Sequence, residues 1–303
     1  MITRRQFARN LAAMAAAAMA GGHDGMAANP TAPFRMAFSI DSLAGVNVND
    51  ARAAYKVWES EVIEKFGLKN MEFYSEIFYP SGQILQMVRS GQIECFTLTT
   101  LEYASVVNFT DPRQMVVVSE LMNGVDYLLL VHKDSPYQKM EDLKSTQLLM
   151  HHHRDTTLLR TWLNVRLAEM GKHTVSEFFS SAEMRDKVNE VILPVFFRKA
   201  EAGAISRRVF DLVITMNPQL GRDLRIVATS PKLVPVGIWF RRDCDPATLK
   251  EAMDVVTRFE SIPAGRQILA LYQSSGLTEC SCSIMADTLR FIRQSERIQR
   301  RAG

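Results

Sequence analysis

From Phe34 onward the chain alternates between short β-rich runs and amphipathic helical runs. The pattern of FRMAFSI (34–40) predicts a strand, and ARAAYKVWESEVIEKFG (51–67) predicts a helix stopped by Gly67, since glycine is a favoured helix terminator. MEFYSEIF (71–78) predicts the next strand, SGQILQMVRSG (81–91) a helix, and IECFTLT (93–99) a strand. A strand–helix–strand rhythm implies parallel pairing with helices laid over the sheet. The rhythm breaks at QMVVVSEL (114–121) and VDYLLLVHKD (125–134), two β-rich runs separated by Met122, Asn123 and Gly124, which marks a passage between lobes. Beyond it the pattern predicts a strand at STQLLM (145–150), helices over Thr156–Met170 and Pro194–Ala202, and a strand at VFDLVIT (209–215). Strands follow at LRIVATS (224–230) and LVPVGIWFRRD (233–243), the second carrying the chain back to the first lobe. Three helices are expected from Pro246 to the end.

The segment before Phe34 has a different character. MITRRQFARNLAAMAAAAMAGG places Arg4 and Arg5 ahead of an uncharged run from Leu11 to Ala20, the layout of an export signal. The arginine pair followed by Phe7 resembles a twin-arginine address, which is read by a receptor and is not an anchor. We therefore expect residues 1–28 to be a signal, 29–123 the first part of lobe 1, 124–237 lobe 2, and 238–303 the rest of lobe 1 with the C-terminal helices. Removing residues 1–28 takes away three arginines and one aspartate, so a formal charge of +3 becomes +1. Near-neutrality argues against nucleic acid as a partner. No later run is apolar for long enough to span a bilayer, so a soluble periplasmic protein is expected. Four cysteines, Cys95, Cys244, Cys280 and Cys282, persist in that chain; an oxidising compartment permits pairing, with connectivity left open.

The densest chemistry lies in LLMHHHRDTTLLRTWL (148–163). On a continuing strand His151 and His153 share one face and His152 the other. Three consecutive histidines then do not converge easily on one metal, which usually asks for four ligands, so a metal would have to recruit His132, His173 or a carboxylate across space. A hydrogen-bonding role in a cleft, for His153 above all, or a partly solvated strand end are the remaining readings. C-terminal arginines in RFIRQSERIQRR read as a solvated helix face, and Arg207 and Arg208 in AISRRVFD as a solvated turn.

The runs GQILQMVRSGQIECFTLTTLEYASV, DYLLLVHKDSPYQKMEDLKS, RDTTLLRTWL, VFFRKAEAGAISRRVFDLVITMNPQLGRDLRIVATSP and DPATLKEAMDVVTRFESIPAGRQIL occur in order. Together the chain resembles periplasmic solute-binding proteins of the phosphate, phosphite and phosphonate transporter class, within the type II periplasmic-binding-protein superfamily. The resemblance implies an α/β fold of two lobes, each a mixed sheet flanked by helices, joined by two hinge strands and closing on a ligand. It also implies that RDTT grips an oxyanion at a helix start, where unpaired N–H groups and the dipole favour an anion. Thr156 and Thr157 would add hydroxyl donors and Arg154 charge-assisted bonds. Asp155 would act as the helix cap or accept a proton from a protonated ligand oxygen. Leu158 stands where the family usually has glycine. From the first lobe the resemblance points to Thr99, Thr100 and Tyr103 in LTTLEYA, with Tyr103 otherwise a core residue; Ser39 and Ser81 sit at strand-to-helix junctions, where open α/β sheets bind ligands. In the second lobe it points to Thr215 and Asn217, after the strand expected at 209–215.

The expected function is capture of a small anionic solute, such as phosphate or a phosphonate, for an ABC-type membrane permease, without cofactor or metal. A sensor subunit presenting to a membrane kinase requires the same closure. An enzyme on this scaffold is disfavoured, because no Ser or Cys stands in a recognisable nucleophile motif.

Overall fold

The computed structural model describes residues 34–66, 73–79, 81–171 and 174–302, so the signal segment, Gly67 and His173 lie outside the described residues. Two mixed sheets flanked by helices form two lobes. The first sheet runs in the order β11 (Leu277–Cys280), β4 (Met115–Val118), β10 (Val236–Phe240), β3 (Cys95–Thr99), β1 (Phe34–Ser39), β2 (Phe73–Phe78). The second runs β7 (Ser181–Arg185), β6 (Gln147–His151), β8 (Ala202–Ser206), β5 (Tyr127–His132), β9 (Leu224–Thr229). Each contains three parallel strands, and beside the third of these a strand arriving from the other lobe lies antiparallel: β10 against β3, β5 against β8.

The helices are α1 (Val48–Phe66), α2 (Gly82–Arg89), α3 (Thr100–Ala104), α4 (Leu159–Glu169), α5 (Val175–Phe178), α6 (Asn189–Phe196), α7 (Arg207–Met216), α8 (Pro218–Asp223), α9 (Pro246–Thr257), α10 (Pro263–Leu271) and α11 (Ala286–Ala302). Both faces of each sheet are covered. Along β5, Tyr127, Leu129 and Val131 join the core around Trp162, while Leu128 and Leu130 join the one around Val191 and Ile192. In the first lobe Phe38, Trp58 and Phe259 pack on one face and Phe96, Tyr103 and Trp239 on the other. Each such side chain contributes about 1.5–3 kcal/mol on full burial, which makes the sheets rigid platforms for whatever sits at their strand ends.

The chain crosses between lobes twice, and the crossings bond to each other. Val125 N–H donates to Leu233 O (2.8 Å) and Leu233 N–H to Val125 O (2.9 Å). Gly124 beside them has φ +67, and a Cβ there would lie 3.1 Å from the Leu233 nitrogen, so both conformation and space call for glycine.

Three sequence expectations need correction. VFDLVIT is not a strand but the body of α7, whose start is capped by Ser206 Oγ accepting Val209 N–H (3.4 Å). Its β-branched and aromatic residues suggest a strand, yet Phe210, Val213 and Ile214 lie three and four apart and pack on one side, a helical spacing. The strand is the small-residue run AGAIS just before it, buried throughout. Its Gly203 sits against α6, where a Cβ would lie 3.1 Å from Val191 and 3.2 Å from Val195. The helix expected over 194–202 is α6, which ends at Phe196 and holds Pro194 inside it. The helix expected from Thr156 begins at Leu159, after a single 3-10 turn over Arg154–Thr156. Edge strands β7 and β11 were not expected, because SAEMR and LTEC carry few apolar residues and little burial.

The four cysteines are free thiols, with Cys95 buried in the first lobe and its thiol pushed up by burial.

Candidate functional site

β6 delivers His151 to the end of the second sheet facing the other lobe. The alternation read from the sequence continues past the strand end: the His151 and His153 rings stack at 5.4 Å, while His152 turns away with Nδ1 2.8 Å from Asp186. His153 Nδ1 then accepts Asp155 N–H (3.2 Å), which tightens the following turn. Thr156 locks that turn, its hydroxyl bonding to His151 O (2.7 Å) and His153 O (2.8 Å) and accepting His153 N–H (3.0 Å). Thr157 Oγ1 donates to Pro235 O (2.9 Å). The result buries Arg154, Asp155 and Thr156 at 2%, 0% and 3% exposure.

The turn is pressed against the first lobe. Arg154 N–H donates to Ala44 O (2.9 Å), and a Cβ on Gly45 would lie 2.7 Å from the His153 ring. The Arg154 guanidinium lies over the Tyr272 ring, 5.1 Å from its centroid, and the Tyr272 hydroxyl bonds that of Tyr55. From α7, Arg208 Nε donates to Asp155 Oδ2 (3.1 Å).

These contacts set the charges. Burial alone would raise the Asp155 carboxyl, but His153, Arg208 and Arg154 outweigh it and hold it down, to about 2. Burial lowers His151, helped by the neighbouring His153, to about 4, so its imidazole is neutral at pH 7. Glu120, whose charge reaches Arg154, is occupied by Ser274 Oγ (2.7 Å) and Ser275 N–H (2.7 Å). Asp155 is thus bonded by Arg208. Among the described residues Arg154 Nε and Nη2, Asp155 Oδ1 and His151 Nδ1 are buried with no hydrogen-bond partner; Arg154 Nε approaches Asp155 Oδ1 only to 3.4 Å. Buried polar groups are otherwise almost always satisfied, and here four unpaired ones gather at one strand end and the turn that follows it. No group of three or more His, Cys, Asp or Glu among the described residues is placed to hold a metal.

A family model described as ABC transporter, phosphonate, periplasmic substrate-binding protein matches residues 53–283. The chain belongs to this family. Its members are substrate-binding transporter components rather than enzymes, and the family places them in the periplasm. Solved structures share the fold. XAC2383 from Xanthomonas citri aligns with TM-score 0.62 at 17% identity, over 89% of this chain and 100% of that one. PhnD1 from Prochlorococcus marinus aligns with TM-score 0.60 at 14% identity, over 89% and 100%. A binding protein component of an ABC phosphonate transporter from Pseudomonas aeruginosa gives 0.57 at 15%, over 90% and 88%. No curated protein matches the sequence.

Within this family fold the residues singled out from sequence fall into two groups. His153, Arg154, Asp155, Thr156 and Thr157 are together on the turn, but both threonine hydroxyls are spent on backbone oxygens. In the first lobe Ser39 and Thr99 meet at neighbouring strand ends, where Glu102 takes their donors: Ser39 Oγ at 2.5 Å, Thr99 N–H at 2.8 Å and Thr99 Oγ1 at 2.9 Å. Thr100 Oγ1 donates to Val234 O (2.5 Å). Tyr103 is a core residue, stacked on Trp239 at 4.0 Å. Ser81 precedes α2 without a side-chain cap bond. Thr215 and Asn217, also considered, are exposed at the far end of α7. The sequence reading passed over Tyr55 and Tyr272, and it took Arg208 for a solvated turn, whereas Arg208 opens α7 and bonds the buried Asp155. The first two look like ordinary helix residues; Arg208 was findable, because once AGAIS is a strand, SRR stands at its carboxyl end.

Proposed function

We propose that this protein is the solute-capturing subunit of an ABC-type permease and that it holds a small oxyanion between its lobes at the His151–Thr157 turn. Arg154 supplies the charge, His151 and backbone N–H groups supply neutral donors, and Asp155 Oδ1 accepts the proton of a singly protonated ligand oxygen. The observation that carries the reading is the buried Arg154 guanidinium, whose Nη2 has no hydrogen-bond partner among the described residues. A guanidinium fork suits carboxylate, phosphate and phosphonate oxygens. PhnD1, which shares the fold, was solved in complex with methylphosphonate. Binding at a turn that touches both lobes would favour hinge closure, and a permease would receive the closed form.

Melting curves with phosphate, methylphosphonate, methanesulfonate and acetate test this. A ligand at about 100 times its Kd stabilises the native state by about 2.7 kcal/mol, so at least one of the oxyanions is expected to raise Tm in a concentration-dependent way. No rise with any of them at millimolar concentration would remove the oxyanion assignment.

A further inference from the structure

The Arg154 guanidinium reaches a cavity of about 80 Å³ that runs beneath the first sheet, between it and helices α1, α9 and α10. A water requires roughly 10–15 Å³ on this scale, so roughly five to eight water- or methylene-sized groups fit. Its walls are hydrocarbon: Phe38, Val116, Ile238, Val256, Ile268 and Leu277 among them. The hydroxyls of three wall residues are already partnered. Ser42 Oγ donates to Ser39 O (2.6 Å), and the Tyr55 and Tyr272 hydroxyls bond each other. An apolar cavity of this kind offers water few partners and stays dry or takes hydrocarbon.

A site for phosphate alone has no use for such a space, since native interiors are close-packed and a cavity costs stability. Here it adjoins the buried Arg154 guanidinium, whose Nε and Nη2 have no hydrogen-bond partner among the described residues. We infer that the ligand is an amphipathic anion: an oxyanion head on Arg154 and a short alkyl or aryl tail of about four to six carbons lying in the first-lobe cavity. The inference rests on the oxyanion reading above and adds the tail to it. Arg154 comes from lobe 2 and the cavity from lobe 1, so one such molecule ties the lobes together by charge at one end and by hydrocarbon burial at the other.

Calorimetric titration of methyl-, propyl- and hexylphosphonate into the full mature protein tests it. Each buried methylene is expected to tighten binding about fourfold. Allowing for incomplete burial, hexylphosphonate should bind at least about a hundredfold more tightly than methylphosphonate. Val256→Phe, which fills the cavity, should erase that gain while leaving methylphosphonate affinity unchanged; Leu277→Phe serves if the first variant fails to fold. Equal affinity along the series would overturn the tail and leave the oxyanion reading standing. A chain-length gain that survives a folded cavity-filling variant would place the tail elsewhere and overturn the inference, as would 1-hexanol binding as tightly as hexylphosphonate. Absence of binding by every member would bring down both readings.

Discussion

His151 is a histidine kept neutral by its surroundings, and this gives the protein a pH dependence of definite sign. Burial lowers its folded pKa from 6.5 to about 4. Between those values the unfolded chain binds the proton and the folded chain does not, so stability is full above about 6.5 and is lost as pH falls toward 4. The loss is on the order of 3 kcal/mol. Urea melts at intervals from pH 7 to 4 should show this slope, and His151→Gln should flatten it; an unchanged slope in the variant would assign it to other groups. Asp155 acts lower down. Its pKa is depressed from 3.8 to about 2, so its contribution is present above 3.8 and is lost only below it, outside the His151 window. At this scale the sequence was partly legible. Alternation put His151 and His153 on one face because adjacent strand residues must point oppositely. That Tyr55 and Tyr272 would meet Arg154 was not legible, since residues 217 positions apart are brought together by packing alone.

The turn after β6 and the loop after β1 are the elements that shape the proposed site. Thr156 was read from sequence as a donor to the ligand, but its hydroxyl closes the 3-10 turn with three backbone bonds. Thr156→Val is therefore expected to cost about 1–3 kcal/mol of stability, the range for leaving buried partners unsatisfied, measured as a shift in the urea midpoint. A fully stable variant with weakened binding would instead restore the ligand-contact reading. Gly45 has φ +85 and abuts the His153 ring. Gly45→Ala should lower Tm, because the left-handed backbone costs a Cβ-bearing residue about 1–2 kcal/mol. It should also weaken methylphosphonate binding several-fold by holding the lobes apart; unchanged affinity would mean that this contact does not limit closure. Periodicity recovered the long elements well. It failed at AGAIS and VFDLVIT, where residue size and β-branching point one way and packing against α6 and the Ser206 cap point the other.

For the whole molecule, the two sheets and the double crossing at Val125 and Leu233 are the layout on which the proposed hinge closure rests. The change of rhythm at 114–134 revealed the crossing because two adjacent β-rich runs with no helix between them cannot continue a parallel sheet. The C-terminal helix was less legible. Assigned by sequence to lobe 1, α11 packs against both α3 and α4, with Ile292 in the core around Trp162 and the Thr288 hydroxyl accepting Val234 N–H (3.0 Å). Its arginines 290, 293, 297 and 300 are exposed. Delivery to the periplasm is proposed to run through the paired arginines near the N-terminus. Arg4→Lys with Arg5→Lys should leave the protein in the cytoplasm, whereas undiminished periplasmic yield would assign export to another route. Capture of an anion by Arg154 between the lobes is the central claim, and titration of methylphosphonate into the wild type and Arg154→Met examines it most directly. Removing one charge from a buried pair is destabilising, so the variant should melt lower than the wild type, yet it should stay folded because Arg208 still bonds Asp155. Loss of a charged hydrogen bond costs about 1.5–3 kcal/mol, so its affinity should fall by roughly ten- to more than a hundredfold. Equal affinity in a folded Arg154→Met protein would contradict the account.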